Sequence, residues 1–255
     1  MRARGVVSRA PILLVTLLGL GAFIYPIIVP PQQAGSSAAA HAGDAPLVFL
    51  LLIALGLLVV LADLENQRLD SKTVALLGIL SAINAVLRFV PGPTGFSAVF
   101  FLPILCGYVY GGDFGFLLGV LSLFVSALIT GGVGPWMPYQ MFALGWMGLS
   151  AGWLPRLRRW PRAEIALLAI FGALWGLIFG AVMNLWFWPY IVPPAEASGG
   201  SSTLHGYATF YFTTSFWWDL GRAGGNAVLI LLFGAPLLRL LRRFQRRFHF
   251  AADSE

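Results

Sequence analysis

Two arginines stand in stretches that otherwise read as lipid-facing. Arg88 lies near the end of the apolar run Val74 to Val90, and Arg222 lies one or two turns into the run Phe216 to Leu238. A charge inside a membrane segment costs a few kcal/mol or more, and it is ordinarily paired or turned toward a wet cavity. Each arginine is therefore a candidate binding residue, its planar fork of N–H donors suited to carboxylate, phosphate or amide oxygens. Asp219 precedes Arg222 by three residues on the same helical face, so a local ion pair accounts for that arginine without any ligand. Arg88 has no acidic neighbour in sequence, and snorkelling to the nearer membrane surface is its plain alternative. Asn84 and Asn226 each lie four residues from one of these arginines, which puts the amide on the arginine's face.

Further polar and aromatic candidates lie where helices must break. Gly131 to Gly148 reads GGVGPWMPYQMFALGWMG, and its opening glycines and Pro135 cannot continue a helix, since Gly costs about 1 kcal/mol and Pro about 3 relative to Ala. A helix must end near Thr130, and the next apolar run begins at Trp136 or Met137. Trp136, Tyr139 and Gln140 are then held near a membrane surface, either in a ligand site or as interfacial belt residues of a plain hairpin. The stretch from Phe187 to Ser215 sets Trp188, Tyr190 and three prolines before Gly199-Gly200-Ser201-Ser202, and Tyr207, Phe210, Tyr211 and Phe212 after it. A connection of that length without regular structure reads as a lid or binding loop, or as an aromatic hairpin on the outer leaflet.

Catalytic chemistry has little to work with. The chain contains no GxxxxGK[ST], HExxH or GxSxG motif and no close carboxylate pair within an apolar run, so neither nucleotide hydrolysis nor an intramembrane active site is expected. Cys106 is the single cysteine, and His41, His205 and His249 are scattered, so no disulfide, metal site or other cofactor is expected.

The elements that must position these residues are membrane helices. Of 255 residues 58% are hydrophobic and 10% charged, against about 25% charged in soluble domains. Eight apolar runs span Ala10 to Val29, Ala45 to Leu64, Val74 to Val90, Ser97 to Tyr110, Phe114 to Thr130, Met137 to Leu154, Glu164 to Trp186 and Phe216 to Leu238. About 20 helical residues cross a hydrocarbon core of about 30 Å, and most of these runs qualify. If the runs alternate in direction, every one of the 16 basic residues except Arg88 and Arg222 falls on one side, which predicts a multi-pass protein with both termini cytoplasmic. The basic clusters thus orient helices, and the pI near 10.0 does not imply a nucleic-acid partner. A cleaved secretory signal is the rival reading of residues 1–42, with small-x-small sites at Ala38-Ala39-Ala40 and Ala40-His41-Ala42. The first run is longer than a usual signal core, which favours a retained helix.

The third run carries small residues four apart, Gly78 with Ala82 and Ser81 with Ala85. Such spacing lets another helix backbone approach, whether from a partner subunit or from within the bundle.

Three segments together resemble a known family. VALLGILSAINAVLRFVP at Val74 to Pro91, the stretch from Gly131 to Gly148, and WDLGRAGGNAVLILLFGAPLLRLLRRF at Trp218 to Phe244 are similar to the substrate-binding S components of energy-coupling-factor (ECF) vitamin transporters. The resemblance spans residues 70–248 and is carried most specifically by the GPW-x-P-x-Q-M and D-x-GRA-x-x-N segments. It implies an all-α membrane protein with a six-helix substrate-binding domain over 70–248. The two-helix segment with its outer linker over 1–69 is read from the apolar runs and departs from the family's six-helix pattern, and 249–255 is read as a cytoplasmic tail. The resemblance implies a bacterial plasma-membrane transport subunit rather than an enzyme, which captures a vitamin from outside and works with a transmembrane coupling subunit and two cytoplasmic ATPases. The pocket is expected from Arg88, Trp136, Tyr139, Gln140, Trp188, Trp218, Asp219, Arg222 and Asn226, and the docking face from Gly78, Ser81, Ala82 and Ala85. Cobalamin is the leading ligand expectation, from the GPWxPxQMxxxG pattern and the long aromatic connection. A facilitative permease that needs no ATPase is the competing class, and a lipid-modifying enzyme is a third, for which Asp219 is the only acid well inside a run.

Overall fold

A computed structural model of the chain describes residues 10–28, 43–54, 71–90, 92, 94–191 and 203–249. The described residues are helical with short connections and contain no β-strand: α1 (Ala10–Ile28), α2 (Ala45–Ala54), α3 (Ser71–Leu87), a 3-10 turn (Ala98–Phe100) leading into α4 (Phe101–Tyr110), α5 (Gly112–Thr130), α6 (Met137–Ala151), α7 (Pro161–Ile191), α8 (Thr203–Thr214) and α9 (Phe216–His249). Each of the eight apolar runs carries a helix, the second of them described as far as Ala54. Helices α5, α7 and α9 are long and apolar enough to cross a membrane, and α1 to α4 are shorter apolar helices. The protein is an all-α, multi-pass membrane protein.

Its centre is the packing of α4, α5 and α6, whose buried side chains include Tyr108, Phe116, Tyr139 and Phe142. Glycine brings these helices together: a Cβ on Gly115 would stand 2.7 Å from the Gly107 Cα, and one on Gly119 would stand 2.6 Å from the Leu144 carbonyl oxygen. Lipid tails are as apolar as leucine, so association inside a bilayer rests on such close packing rather than on burial from water. Helix α5 stops where expected, because Gly131 takes the left-handed conformation (φ 66°) that L side chains rarely adopt and its N–H returns to the Ala127 carbonyl. Helix α6 restarts at Met137 with Pro138 in its first turn, where a missing N–H costs nothing.

The connection read as irregular from 187 to 215 is corrected on both flanks. Helix α7 continues through Pro189 to Ile191, and 203–214 form α8. Helix α8 folds back on α7: the Tyr207 hydroxyl donates to the Ala181 carbonyl, the Tyr211 hydroxyl donates to the Leu177 carbonyl at 3.4 Å, and Tyr207 meets Trp188 edge to face at 5.6 Å. The Gly199–Ser202 centre lies outside the described residues.

The N-terminal helix is packed on the bundle. A Cβ on Gly19 would stand 2.7 Å from the rings of Phe142 and Trp146, and Phe23 meets Tyr139 edge to face at 5.0 Å. The Tyr139 hydroxyl donates to Asp44 Oδ2 at 3.0 Å, just before α2 begins, and Tyr25 hydrogen-bonds both Tyr190 and Asp44.

Candidate functional site

Two polar clusters form at one end of the bundle, where α3 and α5 end, α6 begins, α7 ends and α9 begins. The first is built on α9. Asp219 and Arg222 share a face and form an ion pair, with Asp219 only 2% exposed. Arg222 also donates to backbone: Nε to the Gly95 carbonyl at 3.2 Å and Nη1 to the Gly176 carbonyl at 3.4 Å. Its guanidinium also lies 5.2 Å from the Phe179 ring centre and 5.9 Å from that of Phe100, a cation–π arrangement. One turn further on, Asn226 Nδ2 donates to the Gly172 carbonyl at 3.1 Å.

What allows this is a glycine seam on α7 that the sequence reading passed over. Gly172, Gly176 and Gly180 lie four apart, hence on one face. They meet Asn226, Ala223 and Asp219 respectively, with a Cβ on Gly176 falling 2.6 Å from the Ala223 Cα. The signal was legible as small residues at four-residue spacing, the same pattern read on α3.

Beside the ion pair, a cavity of about 470 Å³ opens between α7 and α9, walled by Phe179, Met183, Asn184, Ser215, Trp218 and Asp219 among others. Ser215 Oγ donates to Asn184 Oδ1 at 3.0 Å, while Asn184 Nδ2 is buried without a partner among the described residues. An unsatisfied buried amide costs about 1–3 kcal/mol, so a ligand acceptor reaching it would recover that cost.

The second cluster is built on Arg88, one residue past α3. Half-buried, it turns inward rather than out to the surface: Nη1 donates to Ser126 Oγ at 2.8 Å on α5, and Nη2 reaches Gln140 Oε1 at 3.5 Å on α6. It forms no ion pair among the described residues. Asn84, one turn back, is fully buried and donates to the Val99 carbonyl at 3.0 Å.

The turn before α4 joins the clusters. Thr94 (φ 50°) and Gly95 (φ 70°) are both left-handed, which aims the Gly95 carbonyl at Arg222, while Ser97 Oγ donates to the Arg88 carbonyl at 3.4 Å. Phe96 packs against Gly225 of α9, and Trp218 lies over Gly95 where any Cβ would collide with its indole.

The expected pocket residues thus separate. Trp218, Asp219 and Arg222 line one cavity, and Arg88 and Gln140 meet across the linking turn. Asn226 and Trp188 are interior and used between helices, at Gly172 and Tyr207. Tyr139 is 0% exposed beneath Phe23 of α1. Trp136 is partly exposed in the turn, its ring over Gly134, and joins neither cluster.

On α3 the two small-residue pairs lie on neighbouring stripes but differ in exposure. Gly78 and Ala82 are exposed, and a Cβ on Gly78 would meet nothing within 4 Å. Ser81 (3% exposed) and Ala85 (0%) face the interior, which corrects the expectation that all four lie on the surface. The interior pair packs within the bundle, the alternative left open for such spacing.

No curated protein and no solved structure matches the chain. A family model does, over residues 72–233, and it describes the substrate-specific component of ECF transporters. That interval runs from the start of α3 into α9 and contains both polar clusters, so this chain belongs to the family of ECF transporter substrate-specific components.

Proposed function

We propose that the chain is the capture subunit of an ATP-driven importer for a vitamin or related micronutrient, with cobalamin the leading candidate. The observation that carries this reading is the convergence of the Arg88 and Asp219–Arg222 clusters on one turn at one end of a bundle of the S-component family. That end faces outward if the arginine-rich end lies in the cytoplasm, as the charge pattern favours for a bacterial plasma-membrane protein with both termini inside.

In this reading, Arg88, Gln140 and Asn184 hold the ligand. Arg88 carries charge that no carboxylate offsets among the described residues, and it donates to ligand oxygens. Gln140 offers both donor and acceptor, Asn184 offers its unspent N–H, and Trp218 presents a flat apolar face. Asp219 and Arg222 neutralise each other and fix the 94–97 turn. Tyr139, Trp188 and Asn226 pack the helices behind these residues and Trp136 stands outside them, so none of the four touches the ligand. Residues 70–248 form the binding unit, with 1–69 as an added two-helix segment and 249–255 as a tail. The exposed face of α3 around Gly78 and Ala82 receives the coupling subunit, and two ATPases drive release to the cytoplasm.

Two measurements test this. Mass spectrometry of small molecules retained by the purified protein identifies the ligand class. Uptake of that ligand into proteoliposomes, with the chain alone and with a coupling module, with and without ATP, tests the transport role. Uptake that requires both module and ATP supports the reading, and uptake by the lone chain overturns it in favour of a permease.

A further inference from the structure

The opposite end of the bundle holds a second arrangement that ligand capture does not use. Helix α9 runs 34 residues, about 51 Å at 1.5 Å per residue, well beyond a hydrocarbon core of about 30 Å. Counting about 20 residues from Asp219 exhausts the core near Leu238. The next two turns carry Arg239, Arg242, Arg243 and Arg246, whose spacing of three and four puts them on one face. These four arginines line a groove of about 340 Å³.

Their charge is poorly offset. Arg242 Nη2 donates to Glu164 Oε1 at 2.6 Å, and that same oxygen takes the Tyr108 hydroxyl at 2.6 Å. Among the described residues Arg239 makes one long contact, at 3.4 Å, from Nε to the Ala235 carbonyl one turn back. None of Arg239, Arg243 and Arg246 forms an ion pair among the described residues. Three guanidiniums with donors to spare thus follow directly on a run that fills the hydrocarbon core, which by this count brings them to the depth of lipid phosphates. Exposed Leu240 and Phe244 on the same turns offer apolar surface where acyl chains begin.

We propose that this groove binds the phosphodiester headgroup of an anionic phospholipid. Forked N–H donors match phosphate oxygens two at a time, and a zwitterionic lipid brings an ammonium that the cluster repels. The lipid braces the seam that Arg242–Glu164 and the Gln245 Nε2 to Val109 carbonyl bond (2.8 Å) make between α9, α7 and α4. The proposal holds whichever ligand the other end takes.

The test uses full-length protein, delipidated in detergent and titrated with dioleoyl-phosphatidylglycerol or dioleoyl-phosphatidylcholine by native mass spectrometry. Wild type should prefer the anionic lipid by about tenfold or more, since each basic side chain near an anionic headgroup adds attraction. The R239Q/R243Q/R246Q variant, which spares the Arg242–Glu164 pair, should lose that preference. An unchanged preference in the variant overturns the proposal, as does no preference in wild type. Displacement of the lipid by millimolar inorganic phosphate, with no headgroup preference, would reveal a free-phosphate site and also overturn it. Should the glutamine variant fail to fold, R243Q/R246Q decides: a reduced preference for the anionic lipid supports the proposal and an unchanged one overturns it.

Discussion

Arg88 and Arg222 both break the chain's charge pattern, yet their surroundings assign them different work. Arg222 is held by Asp219, two carbonyls and two aromatic rings, so its charge is spent on fixing the 94–97 turn against α9. Removing the carboxylate leaves a largely buried cation unpaired, which costs on the order of 3 kcal/mol, whereas removing both charges costs less. We therefore expect Asp219→Asn to lower the thermal unfolding midpoint in detergent substantially, and Asp219→Asn with Arg222→Gln to recover part of the loss. A double variant at least as unstable as the single would mean the pair is not a unit. Among the described residues the Arg88 side chain donates only to a hydroxyl and an amide oxygen. Gln140→Ala should weaken binding of the co-purified ligand by about 1–3 kcal/mol, the cost of leaving a buried polar partner unsatisfied, in isothermal titration of the purified protein. Trp136→Ala should then change affinity little, because that side chain stands outside both clusters. The sequence showed which residues were chemically unusual, since charge within an apolar run is visible from composition. It did not show which of them find partners, because the 94–97 turn that accepts Arg222 is remote in the chain and depends on two left-handed residues.

Helices were legible wherever a breaker or a long apolar run marked them. The Gly131 stop and the Met137 restart follow from local chemistry alone, and both fall where the GGVGP stretch put them. Helix α8 was not legible, since TLHGYATFYFTT mixes polar and aromatic residues without a clean helical period, and its tyrosine hydroxyls find their acceptors on α7. Faces were harder still. The spacing on α3 marked two small-residue pairs but not which one the bundle covers. That difference makes a pair of substitutions informative: Ala82→Leu adds bulk to an exposed face and should abolish module-dependent uptake while leaving ligand affinity intact. Ala85→Leu forces the same bulk into a filled interior and should instead destabilise the isolated protein, by about 1–3 kcal/mol. Ligand affinity lost in Ala82→Leu, with stability unchanged, would remove the docking role from that face.

For the molecule as a whole, the N-terminal pair lies outside the matched interval yet is joined to it by a network at the polar end. Tyr139, fully buried, donates to Asp44 at 3.0 Å and packs against Phe23, while Tyr25 hydrogen-bonds Tyr190 and Asp44. Tyr139 is also the sequence neighbour of Gln140, the α6 residue that meets Arg88. A segment that merely anchored the chain would have no need of a carboxylate placed between two tyrosines of different helices. Hydrogen bonds to a charged group are worth about 1.5–3 kcal/mol, and residues in direct contact show coupling of about 0.5–3 kcal/mol in double-mutant cycles. Asp44→Asn and Tyr139→Phe should each lower the unfolding midpoint, and the double variant should cost clearly less than the two singles added. The loosening should also reach Gln140, so that Asp44→Asn speeds ligand dissociation although Asp44 lies in neither cluster. Strictly additive stabilities together with an unchanged dissociation rate would reduce α1 and α2 to a membrane anchor.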